Sequence, residues 1–257
     1  MIYEYPTHEV SRFCLRMEKL THQIQLLRSL GTPDGLHMAI EHQVELIQML
    51  DRPDIRTKLT KVLTITANRY QEFLKSDAVD QIQLHVILDQ MKEHLLFLQN
   101  HARNHMQSVH QSAMSSLFLQ NITAPARLSE FSVPLLKVIK RNNDMTLAWL
   151  ENWFESMAPF QNIGQLLLEI FRLDTDEYQL ISDLGHCHLD LSGQDEVILL
   201  QIDIAENNIF PSISFGRGRL SIHFHELGAR VDQSVSTAVK RAIPIDVRIT
   251  KLAKLIA

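Results

Sequence analysis

The sequence predicts an α+β protein: a multi-helix α-domain over residues 1–175, followed by a mainly antiparallel β-domain over 176–257. Three observations predict it. Apolar residues recur every three or four positions through the first two thirds of the chain, as on a helix with one packing stripe. From Val197 onward they recur every second position, as on strands, with Gly, Asn and Asp between the runs. No internal repeat breaks this order, and helices followed by strands is the segregated arrangement of α+β chains.

A chain of 257 residues with 45% apolar and 21% charged residues has the composition of a globular protein with real cores. Two cysteines, Cys14 and Cys187, are too few for a disulfide framework and point to a reducing cytoplasm. The opening Met-Ile-Tyr-Glu-Tyr-Pro has no basic region followed by an apolar run, so no signal peptide is read there. No apolar stretch approaches the roughly 18 residues a membrane span needs. The expectation is a cytosolic protein without membrane insertion.

The first helix is read from about Thr7 to Leu30, with Val10, Phe13, Met17, Leu20, Ile24 and Leu27 on its stripe and Thr7 as N-cap. Arg16 lies beside that stripe, at its rim. Gly31–Gly35 supplies turn chemistry, and a second helix follows from about Leu36 to Leu50. Pro53 keeps Arg52 out of helical geometry, so the chain breaks there and a third helix runs from Asp54 to about Leu74. Arg52 and Arg56 bracket that break, and a helix start with two arginines can receive a carboxylate. Further helices are read at Asp80–His101, Asn104–Leu117, Pro134–Lys140, Met145–Met157 and Ile163–Leu173, with a loop over Asn121–Pro134. His101, His105 and His110 straddle a helix break, and only the first pair has i, i+4 spacing. Trp149 and Trp153 read as core.

Strands are read at Gly185–Leu191, Val197–Ile204, Ile209–Phe215, Arg219–Phe224 and Ile245–Ile249. Ile198, Leu200, Ile202 and Ile204 are placed on one face, and Pro244 at a strand start, where a missing donor matters least. The stretch Ile209–Phe224 carries the clearest chemistry. After a turn at Gly216–Gly218, Leu220, Ile222 and Phe224 alternate with Arg219, Ser221, His223 and His225. Such a strand has one apolar face and one row of donors and cations, and Arg217 adds a guanidinium at the turn. That face suits a carboxylate-bearing partner, or is an ordinary solvated sheet face.

Charge is unevenly distributed. Residues 169–208 hold ten acids against Arg172 alone, whereas residues 209–257 hold eight Lys and Arg against Glu226, Asp232 and Asp246. Pairing of the two stretches in a sheet would neutralise much of the basic charge. The net charge of −5 disfavours a nucleic-acid partner. Two His-x-His pairs, His186/His188 and His223/His225, offer a metal-binding alternative if their strands are adjacent. Phosphate loops, nucleophile elbows and HExxH signatures are absent. The residues therefore read as an interaction protein without cofactor, not an enzyme.

Three stretches carry a family resemblance. Tyr3-Glu-Tyr-Pro-Thr-His-Glu-Val-Ser-Arg-Phe-Cys-Leu-Arg-Met-Glu18, Asp51-Arg-Pro-Asp-Ile-Arg-Thr-Lys-Leu59, and Phe210-Pro-Ser-Ile-Ser214 with Arg219-Leu-Ser-Ile-His-Phe224 resemble the ZapD family of bacterial cell-division proteins, in order and at compatible spacing. The resemblance implies an α-domain joined to a β-domain, a cytoplasmic homodimer and no catalysis. It implies binding to the C-terminal tail of the tubulin-like division protein FtsZ and cross-linking of its filaments at mid-cell. By position, the family's basic residues fall on Arg16, Arg52 and Arg219. A second strand arginine is replaced by His223, so the site is expected to strengthen when that imidazole is charged. Lys137 stands near a histidine of some relatives. The family's Gly-Gly-x-Cys loop is missing from Asn121–Lys140. The tail from Gly228 to Ala257 is longer than expected, and is read as an extra edge strand or as an extension of the basic surface through Lys251 and Lys254.

Overall fold

The computed structural model describes residues 1–76, 79–111, 137, 141–191, 196–216, 218–228 and 236–252. They form an α+β chain, with seven helices and two antiparallel sheets among the described residues. Two compact units result, one of Phe13–Leu167 and one of Met1–Arg12 with Leu168–Ala257. A division at 175/176 was expected. The grouping differs from it because the chain's first residues are a strand, paired with residues almost two hundred positions later.

In the helical unit, α1 (Glu9–Leu30), α2 (Pro33–Leu50), α3 (Pro53–Phe73), α4 (Gln81–Asn100), α5 (Ala102–Gln111), α6 (Asn143–Glu155) and α7 (Ala158–Leu173) follow the sequence stripes closely. Phe13, Met17, Leu20 and Ile24 of α1 are buried, as are Ile40, Val44 and Ile47 of α2 and Ile55, Leu59, Val62 and Leu63 of α3. Local chemistry sets the starts. Thr32 caps α2 by accepting from the Gly35 amide at 3.1 Å, with Pro33 in the first turn, so this helix begins before the expected Leu36. Arg52 has φ −59° and ψ 118°, the extended backbone that Pro53 enforces at the α2–α3 corner. Gly164 of α7 lies so close to Met17 that a Cβ there would fall 1.9 Å from the methionine methyl. Trp153 is buried and packs against the half-buried Trp149, with 4.7 Å between centroids and the rings tilted by 30°.

The expected N-cap at Thr7 is a correction. Its amide and hydroxyl both donate into β4 (Glu196–Asp203), to Ile198 and Val197 carbonyls, and the Val10 amide is instead received by His8 Nδ1 at 3.1 Å. Thr7 is drawn away because it directly follows β1 (Ile2–Pro6), which pairs antiparallel with β4. The fifth helix was read to Leu117. Its described part ends at Gln111, and the loop Asn121–Pro134 and helix Pro134–Lys140 lie outside the described residues except for Lys137.

In the other unit, β2 (Asp176–Ile181), β4 and β8 (Pro244–Leu252) join β1 in a sheet of order β1-β4-β8-β2. The second sheet has the order β3-β6-β5, from β3 (His186–Asp190), β5 (Ile209–Gly216) and β6 (Arg219–Leu227), with β7 (Ser236–Ala238) added to β6. Leu200, Ile202, Val247 and Ile249 from the first sheet share one buried cluster with Leu220, Ile222 and Phe224 from the second. This is a two-sheet packing of inward-facing alternate residues.

Two expectations about this unit can be compared with the strands. Ile198 does not share a face with Leu200 and Ile202, because a register shift between Val197 and Leu199 puts Val197 with them in the shared core. A bulge moves one residue out of alternation, and β4 is buried on both faces: the Ser11 hydroxyl donates to the Ile198 carbonyl at 2.7 Å on its outer side. The late tail supplies the anticipated extra edge strand as β7, added to β6, while β8 runs between β4 and β2 in the sheet interior. Its Lys251 is spent on Asp176, and Lys254 lies outside the described residues.

Candidate functional site

The row of donors and cations on β6 is a real surface. Leu220, Ile222 and Phe224 are buried, while Arg219 and His223 are exposed and Ser221 and His225 half-buried. The register of the neighbours extends this row into a patch. On one side His186 stands opposite His223, His188 opposite Ser221 and Asp190 opposite Arg219. On the other, Ser212 stands opposite His223 and Ser214 opposite Ser221, so the β5 side of the patch is lined with hydroxyls. The two strands meet at the hairpin with Gly216 opposite Arg219, and Gly218 takes the positive φ of 75° that the tight connection requires. Arg217 lies outside the described residues.

His188 Nδ1 lies 2.9 Å from the Ser221 hydroxyl. The His186 ring stacks on His223 at 6.0 Å with 17° between planes, and meets His188 edge-on at 5.6 Å. Partial desolvation, then the positive neighbour Arg219 and the other two imidazoles, hold the His188 ring below its ordinary titration range. His225 turns instead onto Phe210, stacking at 5.5 Å. The four-imidazole metal site entertained from sequence is therefore not assembled. Three of the rings come together, the fourth is taken by Phe210, and no group of three or more His, Cys, Asp or Glu among the described residues is arranged to hold a metal. Cys187 points inward, where burial pushes its thiol up to about 11.

The cations of the helical unit are placed differently. The Arg52 guanidinium donates to Asp54 at 3.0 Å, and Lys58 donates to the same carboxylate at 2.6 Å. The Lys58 bond chiefly, and Arg52 after it, hold the Asp54 carboxyl below the usual range. The carboxylate that sequence reasoning imagined arriving from a partner is thus already present, two residues on from Arg52. Spacing alone contained that signal, since Asp54 and Lys58 are i, i+4. Arg56 is half-buried and has no carboxylate partner among the described residues. Arg16 is exposed and pairs with Glu45, its Nε donating at 2.9 Å. Lys137 is exposed. Of the three histidines near α5, His105 Nε2 lies 2.5 Å from the Ser156 carbonyl and His110 Nε2 lies 2.6 Å from Asp51, while His101 is exposed, so they converge on no common centre.

The neutralisation expected between the acidic and basic stretches occurs, but selectively. Lys251 pairs with Asp176, Arg248 stands opposite Glu177, and Arg241 donates to Glu206 at 2.7 Å. Arg172 makes a bidentate pair with Glu4, both bonds 2.8 Å. Arg219 has no ion-pair partner among the described residues, although Asp190 faces it in the register.

Among the described residues no helix is long and apolar enough to cross a membrane. The family model for ZapD, described as a cell division protein, matches residues 15–223. The chain is similar to the cell division protein ZapD of Coxiella burnetii (strain RSA 331 / Henzerling II), 27% identical over 224 residues that cover 86% of this chain and 87% of the relative. It is also similar to ZapD of Enterobacter sp. (strain 638), 24% identical with 88% and 91% of the two chains covered, and to ZapD of Shigella flexneri, 22% identical with the same shares. The match runs from within α1 to His223 within β6, and the chain belongs to the ZapD family of cell division proteins.

Proposed function

We propose that this protein binds the C-terminal tail of FtsZ and cross-links FtsZ filaments at the mid-cell division site, as a cytoplasmic homodimer without catalytic activity. The observation that carries this reading is Arg219, exposed and without an ion-pair partner among the described residues, in an outward row of donors on β6 of a chain of the ZapD family. A planar guanidinium matches a carboxylate in two parallel bonds. Ser221, His223 and the β5 serines supply further hydrogen bonds alongside it. Arg56 and Arg16 are additional contact candidates, together with Arg52 once its bond to Asp54 is exchanged, Lys137 and Arg217.

A dimer carries two such sites, and a filament displays many tails. Weak contacts then become collective, because each second contact forms at high effective concentration. Electrostatic contacts at an exposed face are screened by salt, so cross-linking falls as ionic strength rises. The test is sedimentation of GTP-assembled FtsZ from the same organism, with wild-type protein and with Arg219→Glu, across a salt series. The expected result is bundling by wild type that salt weakens and that the folded variant loses. Full bundling by Arg219→Glu would remove the β6 face from the mechanism, and none by folded wild type would remove FtsZ as partner.

A further inference from the structure

Three imidazoles share the outward face of one small sheet. His186, His188 and His223 lie within 6.0 Å of one another as pairs His186–His223 and His186–His188, and Arg219 and Ser221 continue the same face. We propose that these five residues form a proton-coupled carboxylate site, in which docking of an acidic peptide draws protons onto more than one imidazole. The inference rests on the reading that this face receives an acidic tail, and adds how the site sets its affinity.

On β3 the sole carboxylate is Asp190, which faces Arg219 at the hairpin end. In the turn before β3, Asp183 meets His186 through backbone bonds. On β6, His225 is stacked on Phe210, and Glu226 accepts from Asn208 at 2.7 Å. Strands β5 and β7 carry no titratable side chain at all. Among the described residues, no carboxylate therefore stands opposite the three rings in the register. Imidazolium groups this close repel one another, and Arg219 adds to the repulsion. The depression of His188 below its ordinary range agrees with this geometry.

An arriving carboxylate reverses the balance for all three rings together, since an opposite charge within a few ångströms favours the protonated form. The complex then binds more protons than the free components, so affinity increases as pH falls through the imidazole range. One linked proton gives at most about tenfold per pH unit, and a steeper dependence requires two or more.

The experiment is calorimetric titration with two probes, a synthetic FtsZ tail peptide and an oligo-aspartate peptide. Both are titrated at about pH 7.5 and about pH 6, above the carboxylate range. Two buffers of different ionisation enthalpy report proton uptake. The expected result is uptake of more than one proton per peptide and a gain in affinity of more than about thirtyfold between the two conditions, the most that a single linked proton could give across them. The His186→Gln/His188→Gln double variant, with an unchanged thermal melt, is expected to cut uptake below one and to flatten the pH response. Binding of both probes without proton uptake, or undiminished uptake in the double variant, would overturn the coupling and leave the FtsZ reading standing. Proton-linked binding of oligo-aspartate without binding of the tail would do the reverse. If neither probe binds at either pH, both readings fall.

Discussion

Two arginine-bearing regions looked alike in sequence and differ in the structure. At the α2–α3 corner, Arg52 shares Asp54 with Lys58, so two cations are largely answered by a local carboxylate. On β6, Arg219 stands in a row of hydroxyls and imidazoles with no ion-pair partner among the described residues. The difference teaches that a count of basic residues does not locate a binding surface. What matters is whether an acid already lies within reach, and at what sequence distance. The corner settles the question within one helical turn, whereas the strand settles it through the choice of neighbouring strand.

The largest expected effect comes from removing the support of the β6 face. Phe224 is fully buried beneath the row, and Phe224→Ala is expected to cost about 3–5 kcal/mol in a denaturant unfolding series. Loss of this size would show that the cation row depends on the packed core behind it. Next is Gly185→Ala. Gly185 has φ 82°, and an added Cβ would fall 2.0 Å from the Val239 carbonyl oxygen. Strain of about 1–3 kcal/mol or more is expected from the lowered melting temperature, and His186, the next residue, should shift its NMR signals.

The binding comparison itself is tested by matched truncations. Arg219→Ala is expected to weaken association with FtsZ by about tenfold, the loss of roughly one charged hydrogen-bonded contact. Arg52→Ala should change it by no more than about twofold, because its guanidinium is already engaged. Equal losses from the two would break the comparison. The smallest effect is expected at Asp54. Its carboxyl is depressed in the folded protein, so its contribution is present above the ordinary carboxylate range of about 4 and is lost as pH falls below it. Asp54→Asn should therefore abolish a small acid-side component of the stability profile and release Arg52 and Lys58 from that carboxylate. A modest rise in affinity for acidic peptides would then sharpen the contrast with β6.

Much of the fold was legible because it rests on local periodicity. The stripe of α1, the break at Pro53 and the alternation of Leu220, Ile222 and Phe224 each follow from the geometry of a few consecutive residues. The strands β1, β2 and β7 were not legible. Ile2–Pro6 contains a proline and a glutamate, Asp176–Ile181 opens with two acids, and Ser236–Ala238 is three residues long. All three lie at sheet edges, where few residues need be apolar and the pattern is weak. The shift in β4 was hidden for another reason: every residue from Val197 to Ile202 is buried, so no alternation marks which face each serves.

The cation row belongs to both levels. That Arg219, Ser221, His223 and His225 point one way was set by the sequence, since strand parity allows nothing else. That His186 and His188 join three of these residues, that His225 departs to Phe210, and that Arg219 comes to face Asp190 were decided only by tertiary pairing. The physical reason is range. Helix stripes and strand faces depend on neighbours within a few residues, whereas Lys251 finds Asp176 and Arg172 finds Glu4 across separations of 75 and 168 residues. Once those long pairings are made, the charges left over define the surface.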